Sequence, residues 1–146
     1  IHLADFKFAS AETAARFCGA PDYPAVAQNA IERILCDTGP CEFDENGVLR
    51  RGVVVRHLVL PGCVGDSLRV LAQLDRLVPD KRTILLSLLR QYTPVDANKP
   101  PLDRRVTTLE YEKAVRAAQS FGFLGYTQDR SSASASEIPV FDGTGV

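Results

Sequence analysis

Arg56 stands in the middle of Val53-Val54-Val55-Arg56-His57-Leu58-Val59-Leu60-Pro61-Gly62, an apolar, β-branched run closed by a turn dipeptide. Such a run reads as a strand buried on both faces. Alternation puts Val54, Arg56, Leu58 and Leu60 on one face and Val53, Val55, His57 and Val59 on the other. A guanidinium keeps its proton inside proteins, so a buried one requires an anion. That anion is either a carboxylate of the protein, which makes a structural ion pair, or part of a ligand. A second charged pair lies in Ile1-His2-Leu3-Ala4-Asp5-Phe6-Lys7-Phe8, where Leu3, Asp5 and Lys7 share one strand face and Ala4, Phe6 and Phe8 the other. Asp5 and Lys7 can pair with each other, hold a zwitterion or a cation at the strand's carboxyl end, or form a solvated strand end.

The elements that position these residues follow from periodicity and punctuation. Ser10 caps a short helix to Phe17, closed by Gly19. Asp22-Tyr23-Pro24 opens a second helix, whose apolar stripe is Ala27, Ala30, Ile31, Ile34 and Leu35 and which ends near Asp37-Thr38-Gly39-Pro40. Asn46-Gly47 predicts a small surface β-ribbon before the Arg56 strand. After Cys63-Val64-Gly65, Asp66 or Ser67 caps a helix carrying Leu68, Leu71, Leu74 and Leu77. Thr83 to Leu89 is the next strand, running on to Arg90-Gln91-Tyr92-Thr93-Pro94, and residues 96–105 form a loop able to lie over a site. Thr107-Thr108-Leu109-Glu110 is a capping box for a helix with Tyr111, Ala114, Val115, Ala118 and Phe121 on one stripe and Gly122 as its stop. Phe123 to Gln128 makes a last strand, and a polar tail follows from Asp129.

Strands alternating with helices predict parallel strands joined by right-handed crossovers, hence an α/β fold. Ligands of such folds collect at the carboxyl ends of the strands. Asp5, Lys7, Arg56, Gly62 and Tyr92 all fall at or near those ends, which points to one shared site.

The totals bound the function. The chain has 146 residues, 45% hydrophobic and 24% charged, enough for one domain with a real core. A formal net charge of -1 with no basic block gives no nucleic-acid footprint. The longest apolar runs are interrupted by Arg56 or Arg90, so no membrane span is expected. No signal peptide is legible and a cytoplasmic location is expected, while an opening at Ile1 directly in apolar sequence reads as a cut through a larger protein. Cys18, Cys36, Cys41 and Cys63 are irregularly spaced, which gives little motive for a disulfide framework. Cys36, Cys41 and Cys63 with His57 are a conceivable zinc set.

Several stretches recur in a familiar order: Ala4-Asp5-Phe6-Lys7, Gly19-Ala20-Pro21-Asp22-Tyr23-Pro24, Asp44-Glu45-Asn46-Gly47 and Arg56 to Gly62. Gln91-Tyr92, Leu102-Asp103-Arg104-Arg105-Val106-Thr107 and Ile138-Pro139-Val140-Phe141-Asp142-Gly143-Thr144-Gly145-Val146 continue it. Together they resemble the C-terminal half of radical S-adenosylmethionine (SAM) proteins similar to pyruvate formate-lyase activating enzyme. The resemblance implies the C-terminal half of a partial (βα)6 TIM-like barrel, with the present strands as the fourth to sixth. It also implies an oxidoreductase in which a [4Fe–4S] cluster, held by a C-x-x-x-C-x-x-C loop of the N-terminal half, cleaves SAM reductively to a 5′-deoxyadenosyl radical. Asp5 matches a carboxylate that helps hold a monovalent cation, Lys7 a lysine that meets the SAM carboxylate, Arg56 a strand arginine at the SAM site, and Leu58 an apolar neighbour of the adenine. Tyr92 matches the tyrosine of the sixth strand, and Thr93 stands where the activating enzyme has a histidine.

The chain itself carries no cluster motif. The expected partners are therefore a missing N-terminal half carrying the cluster, a flavodoxin- or ferredoxin-type reductant, and a protein substrate of the glycyl-radical type or a small molecule. Without that half, the chain alone is expected to be inactive. Two other readings compete: a non-catalytic α/β module holding an anionic metabolite at the same strand ends, and a small zinc-binding structural domain.

Overall fold

The computed structural model describes residues 1–94 and 100–128. In chain order, β1 (His2–Asp5) leads through α1 (Ala11–Cys18) and α2 (Tyr23–Thr38) to a two-stranded antiparallel ribbon of β2 (Glu42–Phe43) and β3 (Leu49–Arg51). Then come β4 (Val53–Leu58), α3 (Val64–Leu77), a 3-10 turn at Lys81–Thr83, β5 (Ile84–Leu89), α4 (Thr108–Ser120) and β6 (Gly125–Thr127). The main sheet has the order β1-β4-β5-β6, every neighbouring pair parallel. The fold is thus α/β with a four-stranded parallel sheet alternating with helices, as the order of elements predicts. The closing stretch from Ile138 to Val146 and residues 96–99 of the expected loop lie outside the described residues.

Local signals place the elements. The Ser10 hydroxyl accepts a hydrogen bond from the Thr13 amide and caps α1, which Gly19 ends in the left-handed conformation. Thr107 and Glu110 form the reciprocal capping box of α4. Gly47 at φ 75° turns the ribbon, with the Asp44 carboxylate accepting from the Asn46 and Val48 amides at 2.9 Å.

One face of the sheet is dry. Ala4 and Phe6, then Val53, Val55 and His57, then Ile84, Leu86 and Leu88 pack with Ala27 and Ile31 of α2, Val70, Leu71 and Leu74 of α3, and Tyr111, Ala114 and Ala118 of α4. All three crossover connections therefore lay a helix on the same side. Within this layer the buried His57 bonds through Nδ1 to the Phe6 carbonyl at 2.8 Å, which puts its proton on Nδ1. Its Nε2 is buried with no partner among the described residues, and burial lowers its pKa, so the ring is neutral at pH 7.

The other face is covered only in part. Val54 and Leu85, at its middle, are buried, whereas Leu3 and Tyr126 at its margins are 60% and 56% exposed. The expectation that the Arg56 strand is buried on both faces is corrected here: β4 is fully dry only on the side of Val53, Val55 and His57. Two helix stripes are also corrected. Leu68 points outward, 38% exposed, and Val70 takes its place in the core, because the buried face of α3 is centred on Ser67, Val70, Leu71 and Leu74 and Leu68 lies off its edge. Ala30 is exposed on α2.

Asp66, expected as a helix cap, is buried within the first turn of α3 and does something else. Its carboxylate accepts from the Ala9 amide at 2.9 Å and the Thr13 hydroxyl at 3.3 Å, and pairs with Arg69 at 3.0 Å. It thereby ties α3 to the segment between β1 and α1.

Gly125 lies directly against the backbone of β5. Its φ is 152°, and a Cβ there would sit 1.8 Å from the Leu86 carbonyl oxygen. Gly125→Ala is expected to cost about 1–3 kcal/mol of stability or more, read from urea unfolding, whereas Gly65→Ala, with open space around it, is expected to cost far less.

Candidate functional site

The partly covered face carries a polar row. The strand registers align Asp5 with Arg56, Arg56 with Ser87 and Ser87 with Tyr126. Arg56 Nε donates to Asp5 Oδ1 at 2.8 Å, and Lys7 Nζ pairs with Asp5 Oδ2 at 3.1 Å. The structure therefore brings together Asp5, Lys7 and Arg56, two cations on one carboxylate, at the carboxyl ends of β1 and β4. Their side chains are 32%, 43% and 40% exposed, so the trio faces solvent rather than the core. Arg56 has spent one donor on Asp5, and its terminal amino groups have no partner among the described residues.

Tyr23 holds this strand end in place. Its hydroxyl accepts from the Lys7 amide and donates to the Asp5 carbonyl, each at 3.0 Å. Burial raises the Tyr23 pKa, so the hydroxyl remains a donor at neutral pH. In the sequence Tyr23 reads only as part of a helix start; its position at the first turn of α2, next to Pro24, is what aims it at the strand.

Leu58 and Tyr92 are also brought together, in a small apolar cluster around Phe8, Ala14 and Leu60 that includes Leu102. The Tyr92 hydroxyl donates to the Leu102 carbonyl at 2.8 Å, which fixes residues 100–102 of the loop against the strand ends. Arg16 of α1 reaches the Pro100 carbonyl at 3.1 Å from the other side. Thr93 Oγ1 is buried without a partner among the described residues. Ser87 and Tyr126 have no sequence signal for membership of the row, since their place depends on inter-strand register.

Comparison of the chain with family models, with curated proteins and with solved structures finds no match in any of the three.

The four cysteines are all free, Cys18 and Cys36 exposed and Cys41 and Cys63 half-buried. No three of the described His, Cys, Asp and Glu side chains come together as a metal site, so the zinc set of Cys36, Cys41, His57 and Cys63 is not assembled among them. His57 is in the dry layer, with one nitrogen spent on Phe6. The Cys63 thiol is pushed up by burial, the reverse of what a nucleophilic thiolate needs. An iron–sulfur cluster likewise does not fit these residues, because it needs thiolates set close together.

The turn after β4 is clamped by Glu110. Its carboxylate accepts from the Gly62 amide at 2.7 Å, from Arg104 through two contacts of 2.8 Å, and from the Thr107 amide at 2.8 Å. Gly62 has φ 71°, and a Cβ on it would meet Pro101 at 2.6 Å, so the turn, the loop and α4 are packed as one corner. The Arg104 guanidinium and these amides hold the Glu110 pKa well below the usual carboxylate value of 4.5. An unfolded chain therefore takes up this proton first on acidification. The stabilisation is complete above about pH 4.5 and is lost as pH falls towards the folded pKa. Glu110→Gln is expected to lower the melting temperature at pH 7 and to flatten its decline below pH 4.5; an unaltered acid profile in the variant would show that the clamp is not titrating.

Proposed function

We propose that this chain is the SAM-binding C-terminal half of a radical SAM enzyme similar to pyruvate formate-lyase activating enzyme. The observation that carries the reading is the row of Asp5, Arg56, Ser87 and Tyr126, with Lys7 beside it, on the sheet face opposite α2, α3 and α4. An all-parallel sheet ordinarily has both faces covered. A sheet with its helices on one side and a polar, ligand-sized row on the other has the character of part of a barrel wall, whose interior lies towards that row.

The donor set suits SAM. Lys7 and Arg56 offer cationic donors to a carboxylate, and Asp5 offers an acceptor to an ammonium or to a cation. Leu58 and Tyr92, in the apolar cluster at the same strand ends, suit the adenine. In this reading Asp5 exchanges one of its present partners, Arg56 or Lys7, for a monovalent cation or the ligand ammonium. Bound SAM would supply the 5′-deoxyadenosyl group for hydrogen abstraction. The chain's own residues bind and orient it, and the cluster belongs to an N-terminal half outside these residues. The enzyme so completed is a cytoplasmic oxidoreductase reduced by a flavodoxin- or ferredoxin-type protein, and its substrate is a protein of the glycyl-radical type.

Two outcomes are expected. In the protein with its N-terminal half, Arg56→Lys is expected to weaken SAM binding by about 1–3 kcal/mol, measured by calorimetry, because a point charge does not reproduce a planar fork of donors. Unchanged affinity with a lower melting temperature would make the Asp5–Arg56 pair purely structural. Among the described residues the outer edge of β1 is unpaired, with Ile1 63% and Leu3 60% exposed. The chain by itself is expected to self-associate in a sedimentation concentration series, and a concentration-independent monomer would count against the half-barrel.

A further inference from the structure

A second arginine at a strand end has the opposite surroundings. Arg90 follows β5 directly and is only 7% exposed. Its guanidinium lies over the Tyr111 ring, 4.8 Å from the centroid, on the helix side of the sheet. Its Nε is buried with no hydrogen-bond partner, and no carboxylate among the described residues pairs with it. The ring contact is a small compensation against the desolvation of a guanidinium, which cannot shed its charge.

Arg90 lines a cavity of about 440 Å³ between the first turns of α4 and the ends of β5 and β6, together with Thr108, Tyr111, Glu112, Arg116 and Gln128. The frame around it is fixed. The Tyr111 hydroxyl donates to the Leu88 carbonyl and accepts from the Gln128 amide, while the Gln128 side-chain oxygen accepts from the Arg90 amide, each at 2.8 Å. Of the charged side chains lining the cavity, Arg116 and Glu112 pair with each other at 3.1 Å. The charge left without a counterpart is that of Arg90.

We propose that this cavity is a binding site for a small organic carboxylate, its head group paired with Arg90 and its apolar body against Tyr111 and Val115. A guanidinium fork matches a carboxylate in plane and spacing. One uncompensated positive charge matches a single negative one, and Glu112 disfavours a doubly charged phosphate. The site is on the helix side of the sheet, away from the row that contains Arg56, so it stands or falls independently of the proposed SAM site.

Benzoate is the probe, titrated into the full chain by calorimetry and by NMR, with benzamide as its uncharged analogue and inorganic phosphate as the competing anion class. Benzoate is expected to bind more tightly than either. Arg90→Met, which keeps an unbranched side chain over Tyr111, is expected to weaken benzoate by about tenfold or more, and Arg116→Ala by only a fewfold. In the unmodified protein, shift changes should centre on Arg90, Thr108, Tyr111 and Gln128, a readout that holds even where Arg90→Met fails to fold. Equal binding of benzoate and benzamide, tighter binding of phosphate, an unchanged affinity in Arg90→Met, or shifts centred elsewhere would each overturn the proposal.

Discussion

Side chains of a parallel strand go alternately to its two faces, and in this sheet all three crossovers place their helices on the same one. That choice fixes the register of everything else. The dry layer takes Val53, Val55 and His57 from β4 and Ile84, Leu86 and Leu88 from β5. A slip of β4 by one residue would carry Arg56 into the layer occupied by Leu71 and Leu74, and would expel three side chains that are at most 1% exposed. Arg56 is held on the opposite face by its apolar neighbours in sequence. The same register then sets Asp5 on one side of it and Ser87 on the other.

The energetic weights of the carboxylates separate scaffold from site. A half-exposed pair such as Asp5 with Arg56 contributes about 1 kcal/mol or less. Asp66 is different, because it receives the buried Ala9 amide, and Glu110 gathers two backbone amides and the Arg104 guanidinium on one carboxylate. Losing such an acceptor leaves donors unsatisfied, at about 1–3 kcal/mol for each buried one. The corner of β1, α1 and α3 depends on Asp66, and the corner of β4 and α4 depends on Glu110. Among the described residues the side chains of Asp5, Lys7 and Arg56 pair only with one another, half-exposed, while their strand ends are held by main-chain contacts and the Tyr23 hydroxyl. The fold therefore makes little demand on their charges. Groups the fold can spare in this way are free to be used on a ligand.

Much of this was legible in the residues, for reasons that are local. Ser10, Asn46-Gly47 and Thr107 with Glu110 act within one turn of chain, and alternation sorted Asp5, Lys7 and Arg56 onto one face before any strand was paired. What was hidden depends on distant partners. Asp66 reads as a cap, yet its acceptors serve Ala9 and Thr13 on the far side of the sheet's end. Leu68 reads as core because leucine at that spacing fits the stripe; the buried face is instead centred on Ser67, Val70, Leu71 and Leu74, which leaves Leu68 outside it. The even apolar run from Val53 to Leu60 reads as dry on both faces, since a sequence cannot tell a covered face from one left for another partner. The hydroxyls of Tyr23 and Tyr111 and the row members Ser87 and Tyr126 follow from tertiary register alone.

Arg56 and Arg90 show how one residue type near the ends of neighbouring strands acquires different chemistry. Both lie near the carboxyl end of a parallel strand, one facing away from the helices and one packed among them. Arg56 meets Asp5 across the register, shares it with Lys7 and stays 40% exposed, so water and a carboxylate moderate its charge. Arg90 extends past the last residue of β5, where β6 opposite it has given way to Gln128 and the neighbour on the helix side is the face of Tyr111. An aromatic face and an amide orient a guanidinium without neutralising it. The parity of the strand thus sends one cation to a face where the protein answers it and the other to a cavity where, among the described residues, it does not. In the first case a ligand has to compete with Asp5, and the exchange is set by how well it replaces that carboxylate. In the second no carboxylate among the described residues competes, and an anion of the right size has only its own desolvation and ordering to offset.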